Sequence, residues 1–384
     1  MRKIISSFAI VAMLLGLNPL VSCPLFAKEG TSKESVNKAD TEDREGEEIV
    51  DAAQEYEEKN YDIVIDEMFA DNIYPSFVIY SMMDKDLANE TNLHVRVDEE
   101  KAHVKLTIKD NELMEETVYE HDMSEKDEGV YSVAIKWKRA ALLDADRPGF
   151  INFSVIVEVN GEVKNRFSKT INYRSINEAL LGANFDNGYA DFSHLFACFV
   201  DEDNPRIDEV LRDILEDKKG ETFYGYQGES EEDVLKQLKL VWDYFAEEGT
   251  HYSSITDTSN SDQKFYTQYV RFFDQVIDNN QANCVDGTCM LASIYRKIGF
   301  DVSLVLVPGH AFLAVGGQEK DEDGDPVHLY FLETTMMGSD GATFESAMEE
   351  GAREYEENLN KNGNETILVN IARCRELGIK PIGK

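Results

Sequence analysis

Two cysteines, a histidine and a glutamate stand in an order that supports nucleophilic chemistry. Cys284 and Cys289 lie in QANCVDGTCMLASIYRKIGF, His310 follows in VPGHAF, and Glu333 closes HLYFLE. A thiolate can attack a carbonyl carbon and hold the acyl group as a thioester. An imidazole beside the sulfur takes its proton, and a carboxylate on the far ring nitrogen fixes the tautomer. Only the thiolate form is nucleophilic, so the surroundings of each cysteine decide which could serve.

The elements that would position these groups can be read from hydrophobic spacing. Met290, Leu291, Ile294, Tyr295 and Ile298 recur at helical intervals and Gly299 suits a C-cap, which predicts a helix opening near residues 283–286. Cys284 then occupies the helix N-terminus, where unpaired N–H groups favour a thiolate and its backbone N–H can donate to a developing oxyanion. Cys289 falls a turn further in and reads as packing. A β-branched strand is expected over residues 302–307, broken by Pro308-Gly309, with His310 opening its continuation. An acidic hairpin over residues 321–326 leads to a strand ending in Glu333. Adjacent antiparallel strands would bring His310 and Glu333 within hydrogen-bond reach.

Taken together, ANCVDGTCMLASIYRKIGFDVSLVLVPGHAF and FLETT resemble the core of the transglutaminase-like superfamily of papain-like cysteine enzymes. The resemblance rests on Cys284-Val285-Asp286 opening a helix, an arginine-bearing turn before Gly299, His310-Ala311-Phe312, and Glu333-Thr334-Thr335. It spans about a hundred residues and includes residues 249–253, which are similar to a tyrosine-containing segment ahead of that core. Two positions differ from the commoner pattern: glutamate replaces aspartate at 333, and phenylalanine replaces tryptophan at 312. The resemblance implies a Cys284–His310–Glu333 triad and a papain-like α+β fold; no cofactor is expected. Papain-like enzymes often use an upstream glutamine at the oxyanion; Gln281 and Gln268 are the two candidates, each with an ordinary surface glutamine as the alternative.

Other chemistries fit less well. DEDGDPVHLYFLE has Pro326 where a calcium-binding EF-hand loop needs glycine and Leu332 where it needs glutamate. His328 near His310 suggests zinc, but no HExxH is present, and in a strand His328 and Glu333 point to opposite faces. Peptide hydrolysis, glutamine deamidation and acyl transfer to an amine all pass through a thioester. Without a lysine-recognising feature, hydrolysis is the expectation: a cysteine peptidase or amidase acting on a peptide or protein. The alternative is a catalytically inactive scaffold with a ligand-binding β-sandwich.

At 384 residues the chain has room for two cores, and its formal charge of −37 repels nucleic-acid phosphates and anionic headgroups. The N-terminus reads as an export signal, with Arg2 and Lys3 ahead of an apolar run over residues 4–17. A lipobox cut would leave residues 1–22 as the signal and Cys23 as a lipid anchor, the sole membrane link; a general signal peptidase would remove 1–27. The expected location is the cell envelope, as a lipoprotein or a periplasmic or secreted protein, and from that location the expected substrate is an envelope polypeptide or a peptidoglycan peptide. With Cys23 set aside, Cys198, Cys284, Cys289 and Cys374 form no CxxC pair, which leaves neither a zinc knuckle nor a disulfide scaffold.

Residues 23–60 read as an acidic linker. Residues 61–175 show period-two runs at 77–80, 94–97, 103–108, 131–137 and 151–159, the last followed by an Asn160-Gly161 hairpin turn. They predict an immunoglobulin-like antiparallel β-sandwich without intervening helices. Residues 176–384 should form the transglutaminase-like α+β domain. Asn204-Pro205 starts one helix there, Val234 to Phe245 line a second, and Phe265, Tyr269, Phe272, Phe273 and Val276 line a third.

Overall fold

In a computed structural model, alternation of apolar and polar residues over the first half of the chain resolves into two sheets. The structure describes residues 61–383 except 62, 66–71, 84–92, 98, 100, 125–129, 186–187, 229, 254–263, 323, 325 and 363–364. The expected signal, Cys23 and the linker lie outside the described residues. One sheet holds β1 (Ile63–Ile65), β3 (Leu93–Arg96) and β6 (Val130–Val133) in the order β1-β3-β6. The other runs β2-β8-β7-β4-β5, with β2 (Asn72–Ile73), β4 (His103–Ile108), β5 (Thr117–Asp122), β7 (Gly149–Val159) and β8 (Glu162–Tyr173). Asn160 and Gly161 take φ of 52° and 82°, the left-handed pair that turns β7 into β8. Leu93, Val95 and Val133 of the smaller sheet and Leu106, Phe153 and Val157 of the larger belong to one buried cluster that continues into the second half of the chain through Leu180, Phe196 and Trp242.

Two expectations for this half are corrected. Residues 77–80 are not a strand but part of α1 (Pro75–Met83), and a second helix, α2 (Arg139–Leu143), also interrupts the strands. The run PSFVIYSMM is apolar on every side and buried from Pro75 to Ser81, so it carries no alternation to separate a buried helix from a strand. Pro75 at its first position fits a helix start. The strand pairing is also not wholly antiparallel, because β2 runs parallel to β8.

Beyond residue 175 the fold is mixed α+β. β9 (Glu178–Phe185) pairs with β10 (Gly188–Asp191) and β12 (Phe265–Tyr269), while α3 (Pro205–Asp217) and α4 (Glu231–Glu248) bury the expected faces. Asn204 caps α3, accepting from the Arg206 amide at 3.0 Å. The helix expected to run through residues 265–276 is instead β12 followed by α5 (Phe273–Asn279). Aromatic residues four apart across two elements mimic a helical stripe, and antiparallel pairing with β9 decides the first part in favour of a strand.

The remaining elements build the framework of the candidate site. β11 (His251–Tyr252) pairs in parallel with β13 (Gln281–Ala282), which runs into α6 (Cys284–Ile298). A four-stranded antiparallel sheet follows, ordered β16-β15-β14-β17, from β14 (Val302–Val307), β15 (His310–Gly316), β16 (Leu329–Leu332) and β17 (Ile367–Asn370). α7 (Phe344–Asn362) lies along β16, and α8 (Ile371–Glu376) follows β17. The apolar side of α6 packs on β14 and β15 through Cys289, Met290, Leu291 and Ile294, all at most 1% exposed.

Candidate active site

Cys284 is the first residue of α6, and its setting is built by the helix cap. The Asn283 side chain accepts from the Asp286 amide at 2.8 Å, and Asp286 Oδ2 accepts from the Asn283 amide at 2.9 Å. Asp286 is fully buried, and its two oxygens also accept from the Arg271 backbone amide at 2.7 Å and the Arg271 guanidinium at 2.6 Å. This arrangement fixes the helix origin from both sides while leaving the amides of the first two helical residues without intrahelical acceptors. Gly299 ends the helix at φ 111°, as its type and place predict.

His310 enters from the turn at Gly309, whose φ is 78°, and opens β15 opposite Val307. Its Nε2 lies 2.7 Å from Glu333 Oε2. Glu333 follows the last residue of β16, which pairs with β15 through Leu313 and Leu332. Its carboxylate is 3% exposed, and the second oxygen accepts from the Thr335 amide at 2.7 Å and from the Thr335 hydroxyl. Burial alone would raise the Glu333 carboxyl, but the His310 and Thr335 contacts outweigh it and hold the group below the ordinary carboxylate range. Burial likewise works against a charged His310. Hydrogen bonds to Cys284 and Glu333, with their charges, overcome it and push the imidazole up to about 10. The ring thus holds its proton more tightly than a free imidazole, with the sulfur of Cys284 as one partner and the buried Glu333 carboxylate as another.

The structure thus brings Cys284, His310 and Glu333 together. It sets Cys289 apart, 1% exposed in the core, where burial raises the thiol far above its ordinary value. Burial also pushes Cys198 up to about 12 and Cys374 to about 11. Gln268 stands on a strand rather than a helix, and its side-chain amide donates to the Tyr269 carbonyl at 3.0 Å. Gln281 is half-buried in β13, three residues ahead of Cys284. Residues 251–253 run beside that strand, with the Ser253 amide donating to the Ala282 carbonyl at 2.9 Å. His328 is 61% exposed and sits 4.0 Å from Glu319.

Several contributors were not apparent from residue type. Thr288 donates to the Cys284 carbonyl at 2.6 Å and Thr334 does so at 3.3 Å, with 3.2 Å between the two hydroxyls. They tie the segment after Glu333 to the first turn of α6. A Cβ on Gly351 of α7 would stand 2.9 Å from the backbone of Phe331 and Leu332, so glycine lets the helix lie against β16. The Glu333 amide there donates to the Ala347 carbonyl at 3.0 Å. A cavity of about 620 Å³ opens beside His310 and Glu333, walled by Glu349, Glu350, Arg353 and Glu354 of α7. Of these only Thr334 had a sequence signal, as part of the Glu-Thr-Thr motif; nothing distinguishes Glu354 from the other acids of its helix.

Ligand atoms of His310, Glu333 and Glu354 converge within 4.8 Å of one another. His310 Nε2 is already engaged there, 2.7 Å from Glu333 and 3.5 Å from Glu354. The trio reads as an ion-pair cluster.

No family model matches the chain, and no curated protein matches it in sequence. Among solved structures it is similar to a transglutaminase from red sea bream, at 7% identity and a TM-score of 0.19. That alignment covers 66% of this chain and 49% of the other, so the chain spans about half of that enzyme's length.

Proposed function

We propose that the protein is a thiol-dependent acyl-transfer enzyme of transglutaminase-like fold, in which Cys284 is the nucleophile, His310 its acid–base partner and Glu333 the orienting acid. The observation behind this reading is the 2.7 Å contact between His310 and a carboxylate only 3% exposed, with Cys284 engaging the same ring from a helix N-terminus. The buried carboxylate orients the imidazole beside the half-buried sulfur, and the first-turn amides of α6 offer donors to an oxyanion. The Cys284 sulfur would attack a substrate carbonyl and the amine would leave with a proton from His310. Water, activated by the imidazole, would then cleave the thioester. A peptide or protein amide is the substrate class we assign.

The remaining parts of the reading concern setting. We assign residues 61–175 to an immunoglobulin-like sandwich, supported by the two sheets formed there, and residues 176–384 to the catalytic domain. We also assign export to the cell envelope, with Cys23 as a lipid anchor or a cut after Ala27, from the N-terminal residues.

An activated ester tests the chemistry without a known substrate. Incubation with a p-nitrophenyl ester should release nitrophenolate in a burst equal to the enzyme present, with the acyl group mapped to Cys284. Water should resolve the thioester, and added primary amine should change the products if acyl transfer competes. Cys284→Ala should abolish the burst; an undiminished burst in that variant would refute the assignment.

A further inference from the structure

His310 faces a second carboxylate. Glu354 Oε2 lies 3.5 Å from Nε2, against 2.7 Å for Glu333 Oε2. The two acids arrive from different elements, Glu333 from the end of β16 and Glu354 from α7. Gly351, one turn earlier on the helix, is what allows α7 to approach β16 closely enough for this. The Glu354 side chain is only 25% exposed, so its charge is screened less than that of a surface acid.

Among the described residues, the titratable and charged groups around the ring are Cys284 from α6, Glu333, and Glu354 from α7, with Arg353, Glu350 and Glu349 of α7 lining the cavity beside it. Arg353 approaches the other oxygen of Glu354 only to 3.8 Å, and it is bonded to Glu350 and, at 2.6 Å, to Glu357. It leaves the Glu354 charge largely available to His310. Burial, and then the neighbouring Glu333, hold the Glu354 carboxyl above its ordinary range even with His310 present.

We propose that Glu354 is a positioning residue, a second counter-charge that holds His310 in its protonated form while Glu333 makes the primary hydrogen bond. A single ring N–H cannot make two short bonds, so the nearer acid fixes the ring and the farther one acts through charge. The consequence for thiol activation rests on the Cys284–His310 reading above; the effect on the imidazole itself does not.

The test is a titration of the His310 ring by NMR, in full-length protein carrying ¹³C-labelled histidine. The His310 signal among the seven histidines is the one lost in His310→Ala. An opposite charge at this range shifts a titration by about 1 pH unit or more, so Glu354→Gln should lower the midpoint by about that amount. Glu354→Asp, which keeps the charge but draws it back, should lower it by less. If the glutamine variant does not fold, the aspartate variant decides by its smaller lowering of the same midpoint. An unmoved midpoint in folded variants, whatever happens to their melting temperature, would overturn the proposal. The iodoacetamide rate at wild-type Cys284 separates the two readings. An ordinary thiol rate with a lowered midpoint in the variants would remove the enzyme but keep the role of Glu354. A fast thiol with an unmoved midpoint would do the reverse.

Discussion

His310 holds its proton because two opposing effects are unequal in size. Burial lowers an imidazole's proton affinity, and the contacts with Cys284 and Glu333 raise it by more, to about 10. The folded value exceeds the ordinary 6.5, so the associated stability is fully present below about pH 6.5 and disappears as pH rises through about 10. Glu333 behaves oppositely: its folded value is depressed, so its contribution is present above the ordinary 4.5 and is lost as pH falls through the depressed value. Removing one partner of a buried pair costs roughly 3 kcal/mol or more. Urea unfolding of His310→Ala should show a loss of that order near pH 6, and the gap to wild type should narrow as pH approaches about 10. A gap that stays constant over this interval would contradict the ion pair.

Elements explain why these residues meet, and here the sequence was unevenly informative. The origin of α6 was legible because its determinants are local: Asn283 and Asp286 close a capping box, and Gly299 supplies the left-handed end. The β14–β15 turn was legible for the same reason, with Pro308-Gly309 between two apolar runs. Residues 77–80 and 265–276 were misread because burial on all sides, or aromatic spacing across two elements, leaves no usable period. The contact of α7 with β16 was not legible either, since a glycine inside a helix gives no hint of what it lies against. That glycine offers a test at this scale. Gly351→Ala would place a methyl 2.9 Å from the β16 backbone, which must shift beside Glu333. Alanine favours helix, so propensity alone predicts stabilisation. We expect instead a loss of about 1–3 kcal/mol, as in overpacked cores, with slower alkylation of Cys284. A rise in melting temperature with unchanged thiol reactivity would show that the α7 contact does not position the acid.

For the whole molecule, the formal charge of −37 was readable, but its concentration into a wall beside His310 was not, because it depends on how α7 docks. The mixed α+β class was readable from the two hydrophobic periods, whereas the parallel β2–β8 pair and the two helices among the first strands were not. α1 bridges the halves: Ser76 Oγ donates to the Glu178 carbonyl at 2.6 Å. Among the described residues no helix is long and apolar enough to cross a membrane.

The central claim is that Cys284 is activated by His310 and Glu333, and its most direct test is the rate of iodoacetamide alkylation at Cys284 near pH 6. Rates would be measured by peptide mapping in wild type, His310→Ala and Glu333→Gln. We expect rapid labelling of Cys284 alone in the native wild type, with the buried Cys198, Cys289 and Cys374 inert until unfolding. Glu333→Gln should retain the fold and slow the reaction steeply, because an amide supplies no charge to the imidazolium; loss of the orienting acid costs up to ~10⁴-fold in kcat in serine proteases. His310→Ala should slow it at least as much. Equal rates in all three proteins, at the level of a free thiol, would contradict the account.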